Sequence, residues 1–136
     1  MPDNDPTAFI HQSMPLSATL GVTAGRLTPE VVSLSVPWSE GLCTSGGLLH
    51  GGAVMALADS AGGACAFLNL PEGAAGTATI ESKTNFLGAV RDGVVTATAK
   101  PLHIGSTTIV VETEVTNHDR LIAKVTQTQI VQRPKS

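Results

Sequence analysis

Glycines surround a single histidine in the most distinctive stretch of the chain, Gly46 to Gly52, which leads into a long apolar run. Glycines at a helix start let another group approach the backbone, and the amides of the first turn have no acceptor within the helix. Such amides can stabilise the negative charge that develops on an ester or thioester carbonyl oxygen under attack. We therefore predict that the amide of Gly51 is an oxyanion donor.

Asp59 is the second unusual residue, because a carboxylate in the middle of an apolar helix has no ordinary structural reason to be there. One interpretation is a carboxylate held by donors in a buried polar network. The other is a catalytic carboxylate, because an activated acyl group needs only a carboxylate and one or two amide donors for its hydrolysis. On the second interpretation we expect no metal and no cofactor.

Spacing along the helix limits how these residues can act together. His50 and Asp59 are 9 residues apart, which corresponds to about 13.5 Å of rise and a net half turn. They cannot easily meet at one substrate within one helix. A two-fold dimer, in which the helix start of one chain faces the middle of the partner's helix, would form two equivalent sites.

The helix that positions both residues is predicted from His50 to about Asn69, and Pro71-Glu72-Gly73 ends it. It is apolar nearly all the way round, so we expect other structure to wrap it. The apolar run from Gly46 to Leu70 is not predicted to span a membrane, because a central aspartate such as Asp59 costs roughly 2.5–3.5 kcal/mol on insertion scales.

Strands are predicted on both sides of this helix. Alternating apolar and polar residues or turn signals indicate strands over Leu16–Arg26, Val31–Val36, Thr77–Leu87, Val94–Ile104, Thr107–Asn117 and Leu121–Gln132. The period of two is clearest in the fifth, where one face carries Thr107, Ile109, Val111, Thr113 and Val115 and the other carries Glu112, Glu114 and Thr116.

Short turns separate the last four runs, which predicts an antiparallel meander and an α+β domain with five or six strands around the helix. A short helix over Asp5–Ser13, with Asp5 as N-cap and Pro6 at its first position, is predicted before the strands. Pro37–Gly47 is predicted to be a loop.

Composition limits the class of protein. The 136 residues suit one domain over 1–136, with 1–15 as an N-terminal extension or short helix. The formal net charge of −3 and the lack of a basic run argue against a nucleic-acid partner. Two cysteines are too few for a disulfide framework, and the start Met1 to Asp5 lacks the features of a signal peptide, so we expect a cytoplasmic protein.

Two short motifs of the chain resemble those of a known family. His50-Gly51-Gly52 with Leu57-Ala58-Asp59 is similar to the HGG…LAD signature of hotdog-fold acyl-CoA thioesterases of the phenylacetate-pathway type and the related 4-hydroxybenzoyl-CoA thioesterases. The resemblance runs from about Leu16 to Gln132. It includes Asn85-Phe86-Leu87 at a strand end, Gly105-Ser106 in a hairpin and Leu121-Ile122-Ala123 in the last strand.

The resemblance implies a long central helix wrapped by a curved antiparallel sheet, in a homodimer or a dimer of dimers (a homotetramer) with sites at the subunit interface. It implies acyl-CoA as substrate, Asp59 as general base or nucleophile, the Gly51 amide on the thioester carbonyl, and His50 at the helix start. Thr44 stands where the family often has Asn or Gln, and the resemblance implies that it is a catalytic residue that holds the carbonyl or the water.

Residues implied to contact substrate are Gly52, Gly63, Thr79, Asn85, Phe86, Gly105 and Ser106. Thr79 falls near a hydroxyl that orients the attacking water in some members. Gly88 stands where the family often has Arg, so we expect either weaker binding of the coenzyme A phosphates or a shift of that binding to Arg91 or Lys83. The small residues from Ala61 to Ala64 predict room for an acyl group beside the helix.

The remaining candidate residues favour structural roles. His11, His50, His103 and His118 lie far apart with no metal-ligand spacing, so no metal site is expected. His118 is predicted to be solvated in a turn and His103 to be a structural polar residue. Cys43 is predicted to be a loop thiol and Cys65 a small core residue, because neither has a His and acid partner placed by the sequence.

Two other functions remain open: a non-catalytic acyl-CoA binding or sensor module, and a hotdog hydratase or dehydratase. Retention of Asp59 argues against the sensor, and Gly51-Gly52 differs from the histidine surroundings of the dehydratases. The acyl group could be aryl or medium-chain aliphatic. The low aromatic content, 3%, argues weakly against an aryl preference.

Overall fold

The structure, a computed structural model, describes residues 5–135. The start of the chain that carries the signal-peptide prediction, residues 1–4, lies outside the described residues. In chain order the elements are α1 (Pro6–Ser13), α2 (Pro15–Leu20), β1 (Thr23–Leu27), β2 (Val32–Pro37), α3 (Gly51–Leu68), β3 (Gly76–Phe86), β4 (Val94–Ile104), β5 (Thr108–Asn117) and β6 (Arg120–Gln132).

Helix α1 begins as predicted. The Asp5 side chain accepts a hydrogen bond from the amide of Ala8 at 3.1 Å, and Pro6 occupies the first helical position, where its missing N–H costs nothing. The short helix is fixed to the sheet because the Thr7 hydroxyl accepts from the amide of Ala24 at 2.9 Å and His11 Nε2 hydrogen-bonds to the carbonyl of Val22 at 2.7 Å.

The predicted strand over Leu16–Arg26 is wrong in its first half, which forms α2. Pro15 starts this helix and Gly21 ends it in the left-handed conformation, at φ 78°. The Ser17 hydroxyl also donates to the carbonyl of Met14 at 2.6 Å, which favours the turn over an extended chain. The strand then covers only Thr23–Leu27.

Six antiparallel strands form one sheet in the order β1-β2-β4-β5-β6-β3. Strands β4, β5 and β6 are a meander, as predicted, but β3 pairs with β6 rather than with β4. The prediction of a four-stranded meander is therefore wrong for β3. Residues 87–93 carry the chain across to β4, which fills the position between β2 and β5.

The loop predicted over Pro37–Gly47 contains two short 3-10 turns, Glu40–Leu42 and Ser45–Gly47, after Pro37 closes β2. Gly46 and Gly47 both have positive φ values, 77° and 74°, so glycine is needed at both positions. The Trp38 indole donates to the carbonyl of Gly47 at 3.0 Å, which holds this loop against the end of β2.

Helix α3 packs against the sheet, where it contacts β2, β3, β4, β5 and β6. Leu57, Ala58, Ala61 and Cys65 are fully buried there, whereas Met55 is 43% and Phe67 52% exposed on the other side. The expectation that the helix is wrapped all round is therefore wrong for a single chain. The 18 residues have a mean hydropathy of 1.3, which would also suit a membrane span, but half of them are buried in this fold.

The core lies between α3 and the inner face of the sheet. In β5 the alternation predicted from the sequence is confirmed from Ile109 onward: Ile109, Val111, Thr113 and Val115 are fully buried, while Glu112 and Glu114 are not. Thr107, predicted on the same face, precedes the strand and is exposed. On the outer face Lys124 Nζ pairs with Glu112 at 3.2 Å and Glu114 at 3.4 Å. The inner face of β6 is less uniform, because two of its buried positions hold glutamine.

Candidate active site

A cleft of about 450 Å³ opens beside the middle of α3. Its walls come from α1, from α3 and from the first half of β3, and its lining is mostly apolar. Asp59 is the single ionisable side chain among the residues that line it, which are Phe9, Ile10, Ser13, Met14, Asp59, Gly63, Ala64, Phe67, Gly76, Thr77, Ala78, Thr79 and Gln129.

Asp59 is exposed in the single chain, not buried as an aspartate in a wrapped helix would be. Its Oδ1 accepts hydrogen bonds from Thr79 Oγ1 at 3.1 Å and from Gln127 Nε2 at 3.0 Å. Oδ2 has no hydrogen-bond partner among residues 5–135. The carboxylate is therefore anchored through Oδ1 alone.

Gln129 completes the network. Its Nε2 donates to Thr79 Oγ1 at 2.5 Å, and Thr79 faces Gln129 directly across the β3–β6 pair. A hydroxyl has only one proton. Because the Thr79 oxygen already accepts from Gln129, its proton is directed to Asp59. A bulge between Thr79 and Glu81 interrupts the register next to this contact.

Neither glutamine was identified from the sequence. Gln127 is 0% and Gln129 2% exposed, and both lie on the same face of β6 as the buried Val125 and Val131. The period of two along β6 placed both on the core face, and two polar side chains on a core face are an anomaly that points to a polar site.

Gly62 leaves the space that the Gln127 side chain occupies. A Cβ atom on Gly62 would lie 1.8 Å from Gln127 Oε1, so no larger residue fits without moving the glutamine. Gly63 differs, because a Cβ there would meet nothing within 4 Å and the residue lines the cleft. Of the small residues predicted to make room for an acyl group, Gly63 and Ala64 line the cleft, while Ala61 and Gly62 are buried.

The start of α3 presents a second polar feature. His50 Nδ1 accepts from the amide of Gly52 at 2.7 Å, and so caps the helix. The amide of Gly51 has no acceptor in the described part of the chain. The ring of Phe86 lies over Gly51, 3.1 Å from where a Cβ would be. The free amide that the sequence predicted is therefore present beside an exposed aromatic ring.

One chain does not bring this amide to Asp59. Gly51 and Asp59 are 8 residues apart in one continuous helix, which is about 12 Å along its axis. A carbonyl oxygen bound to the amide would lie beyond hydrogen-bond reach of the carboxylate. Within one chain, therefore, the Gly51 amide and the Asp59 carboxylate are two separate polar features.

The other predicted site residues fall outside the cleft. Thr44 is exposed in the loop before α3, and Asn85 is exposed near the end of β3. Gly105 and Ser106 form the β4–β5 turn, where the carbonyl of Ser106 accepts from Arg133 at 2.9 Å. Within one chain, only Gly63 and Thr79 of the substrate residues lie with Asp59.

A second cavity of about 310 Å³ lies at the β5–β6 turn. It is lined by Ala89, Arg91, Asp92, Asn117, His118 and Arg120. His118 is in a turn and its ring is 59% exposed, as predicted, but its Nε2 also pairs with Asp92 Oδ1 at 2.5 Å. Of the residues implied for coenzyme A phosphates, Arg91 lines this cavity and Lys83 is exposed on β3.

The two cysteines occupy unlike environments. Cys65 is fully buried in the core, as predicted, and burial raises the pKa of its thiol to about 11. Cys43 is partly exposed, and its Sγ donates to the carbonyl of Ser39 at 3.3 Å. Within residues 5–135 no group of three or more His, Cys, Asp or Glu side chains is placed to bind a metal ion.

Comparison with known proteins agrees with this architecture. The sequence profile of the thioesterase superfamily matches residues 46–124, more than half of the chain. A Vibrio cholerae protein whose name proposes esterase activity is 32% identical over 117 residues, which cover 85% of this chain and 77% of the relative.

Two further matches have names that specify the reaction more closely. The 1,4-dihydroxy-2-naphthoyl-CoA hydrolase of Escherichia coli is 42% identical over 60 residues, 44% of this chain and 43% of that protein. A thioesterase structure from Haemophilus influenzae superposes with a TM-score of 0.85 at 25% identity, covering 96% of this chain and 93% of the other. The chain with its helix on a six-stranded antiparallel sheet therefore has the hotdog fold and belongs to the thioesterase superfamily, whose chemistry is thioester hydrolysis.

Proposed function

We propose that this protein hydrolyses acyl-CoA thioesters to the free acid and coenzyme A, with Asp59 as the catalytic carboxylate. The observation that carries the proposal is the arrangement of Asp59 in its cleft. It is the single ionisable group among the lining residues, neutral donors hold its Oδ1, and its Oδ2 is free. A free carboxylate oxygen beside an apolar cleft suits a general base that acts on water next to a bound acyl group.

A second copy of the chain supplies the oxyanion donor in this proposal. Strand β3 is an edge of the sheet, and all 11 of its residues are exposed or partly exposed, among them Ile80 at 59% and Phe86 at 50%. An exposed edge with apolar side chains favours pairing with another strand. Pairing two β3 edges, with the exposed sides of the two α3 helices facing each other, would bring Gly51 of the partner subunit toward Asp59.

The reaction then needs no group beyond these residues. Asp59 Oδ2 takes a proton from a water molecule while the oxygen of that water attacks the thioester carbon. The Gly51 amide donates to the carbonyl oxygen as that oxygen becomes negative. The carbon–sulfur bond breaks, the coenzyme A thiolate takes up the proton, and the carboxylic acid remains. Direct attack by Asp59 on the carbon is the alternative route to the same products.

The cleft favours a bulky apolar acyl group. Two of the three phenylalanines of the chain, Phe9 and Phe67, line it together with Met14. The weak argument against an aryl group from overall composition does not apply to the cleft itself, because two of the four aromatic side chains of the chain line it. The naphthoyl-CoA substrate in the name of the Escherichia coli relative supports the same choice. We therefore propose aryl-CoA thioesters as the preferred class.

The first experiment measures thiol release from short, medium, long and aryl acyl-CoAs by the wild type and Asp59→Asn. We expect the wild type to hydrolyse aryl-CoAs best and the variant to lose about 10²- to 10⁴-fold in kcat, the usual contribution of a general base. Binding of acyl-CoA without turnover by the wild type would instead support the sensor function. Addition of water across a carbon–carbon double bond, without thiol release, would support the hydratase.

A further inference from the structure

We propose that Gln127 is a positioning residue that anchors Oδ1 of Asp59, so that Oδ2 is the oxygen that reacts. The inference rests on the proposed hydrolase function and adds a residue that the HGG…LAD signature does not contain. Gln127 lies on β6, 68 residues from Asp59 in sequence, and its Nε2 donates to Oδ1 at 3.0 Å. It does not line the cleft, so it acts on substrate only through Asp59.

The first argument is that Gln127 is a poor choice for stability. The side chain is 0% exposed, and its Oε1 is buried without a hydrogen-bond partner among the described residues. An unpaired buried acceptor destabilises a fold, and an apolar side chain of the same size would avoid that cost. The glutamine is therefore best explained by its one strong contact, the hydrogen bond to Asp59.

The second argument is that the surrounding chain is shaped to fit this side chain. Gly62 places no Cβ where Oε1 lies, at 1.8 Å from the position that such an atom would take. Glycine inside a helix is unfavourable relative to alanine. Its presence at Gly62, where the helix backbone faces Gln127 Oε1, is accounted for if the glutamine must approach that backbone closely to reach Asp59.

The third argument concerns the geometry of the carboxylate. Thr79 and Gln127 donate to the same oxygen, from β3 and β6 respectively. Two donors from different strands on one oxygen restrict rotation of the carboxylate about its own axis. They leave Oδ2 as the oxygen available to water. No other charged group lines the cleft, and the neighbours of Asp59 on β3 and β6 are the neutral Thr79, Gln127 and Gln129.

The test compares Gln127→Met with the wild type, and Gln132→Met serves as a matched control, since Gln132 is an exposed glutamine on the same strand. We expect Gln127→Met to lower kcat for the best acyl-CoA about 10- to 100-fold, as misplaced catalytic groups do. KM should stay within about twofold and the thermal midpoint should be unchanged or higher. A residue with a merely structural role would lower the midpoint instead. The control should match the wild type.

A second variant, Gln127→Glu, keeps the shape of the side chain and gives a signature in pH. At low pH a protonated glutamic acid at this position can still donate to Asp59, so activity should be retained in part. As pH rises and the shared proton is lost, two like charges face each other, and activity should fall where that of the wild type does not. This variant also serves if Gln127→Met does not fold.

The outcomes separate the two proposals. Wild-type kcat in Gln127→Met, with Asp59→Asn inactive, would overturn the positioning role and leave the hydrolase function standing. A Gln127→Glu pH profile identical to that of the wild type would also overturn it. If the wild type hydrolyses no acyl-CoA, the hydrolase function fails and the positioning role fails with it.

Discussion

Asp59 is both anchored by hydrogen bonds and exposed to solvent in the single chain. Its Oδ1 is held by two neutral donors, yet the residue is exposed in the single chain and has no ion pair within residues 5–135. Neutral donors orient a carboxylate without neutralising it.

Cys65 illustrates the opposite case, a potential nucleophile that the fold makes inert. Burial raises the pKa of its thiol to about 11, so at pH 8 only about one thiol in 10³ is ionised. We expect iodoacetamide at pH 8 to alkylate the partly exposed Cys43 and leave Cys65 unmodified until the protein is unfolded. Peptide mass spectrometry of native and denatured samples measures this. Equal labelling of both cysteines in the native protein would contradict the assigned burial.

At the scale of elements, the start of α3 offers its free amide in a backbone conformation that permits a clean test. Gly51→Pro removes that N–H at the first helical position, where proline is well tolerated, and His50 already has the extended conformation, ψ 135°, that a following proline requires. Gly51→Ala is the matched control, because it adds a Cβ against the same Phe86 ring but keeps the amide.

We expect Gly51→Pro to lower kcat about 10²- to 10³-fold, the cost of removing one oxyanion donor, with little change in the thermal midpoint. Gly51→Ala should lose much less. Steady-state kinetics of the two variants on the same acyl-CoA decides the matter. Similar losses in both would mean that the Cβ, through Phe86, and not the amide, is responsible.

Elements with local signals could be predicted from the sequence, and those set by distant contacts could not. The cap at Asp5, the glycines before α3 and the period of two in β5 are local patterns, and each formed as predicted. The pairing of β3 with β6 depends on strands far apart in sequence, and turn signals do not encode it. The helix α2 was missed although Pro15 and Gly21 mark its ends, because its six residues also read as a strand.

The candidate site likewise contains residues that local sequence could identify and residues that only distant strand pairing brings in. Asp59 and the Gly51 amide could be found from their types within a helix. Gln127 and Gln129 could not be joined to Asp59, because only the register of β6 against β3 brings them there. Gly105 and Ser106, predicted to contact substrate, do not line the cleft of the same chain. Neither do the residues at the start of α3.

At the scale of the whole molecule, the exposed side of α3 and the exposed edge of β3 indicate that one chain is an incomplete unit. Met55, Phe67, Ile80 and Phe86 are each between 43% and 59% exposed on these surfaces. Apolar surface of this kind usually marks an interface. If Gly51 and Asp59 act on one thioester, as we propose, their separation of about 12 Å along one helix also requires a second chain.

Complementation between two inactive variants tests most directly the claim that Asp59 of one chain and Gly51 of another form one hydrolytic site. Asp59→Asn and Gly51→Pro chains, co-expressed with different tags and purified together, would form mixed dimers in which one site carries both substitutions and the other carries neither. With random pairing we predict about one quarter of the wild-type kcat per chain, from two variants that are each nearly inactive alone. Activity no higher than the sum of the two variants, with mixed dimers present by tag capture, would contradict the shared site.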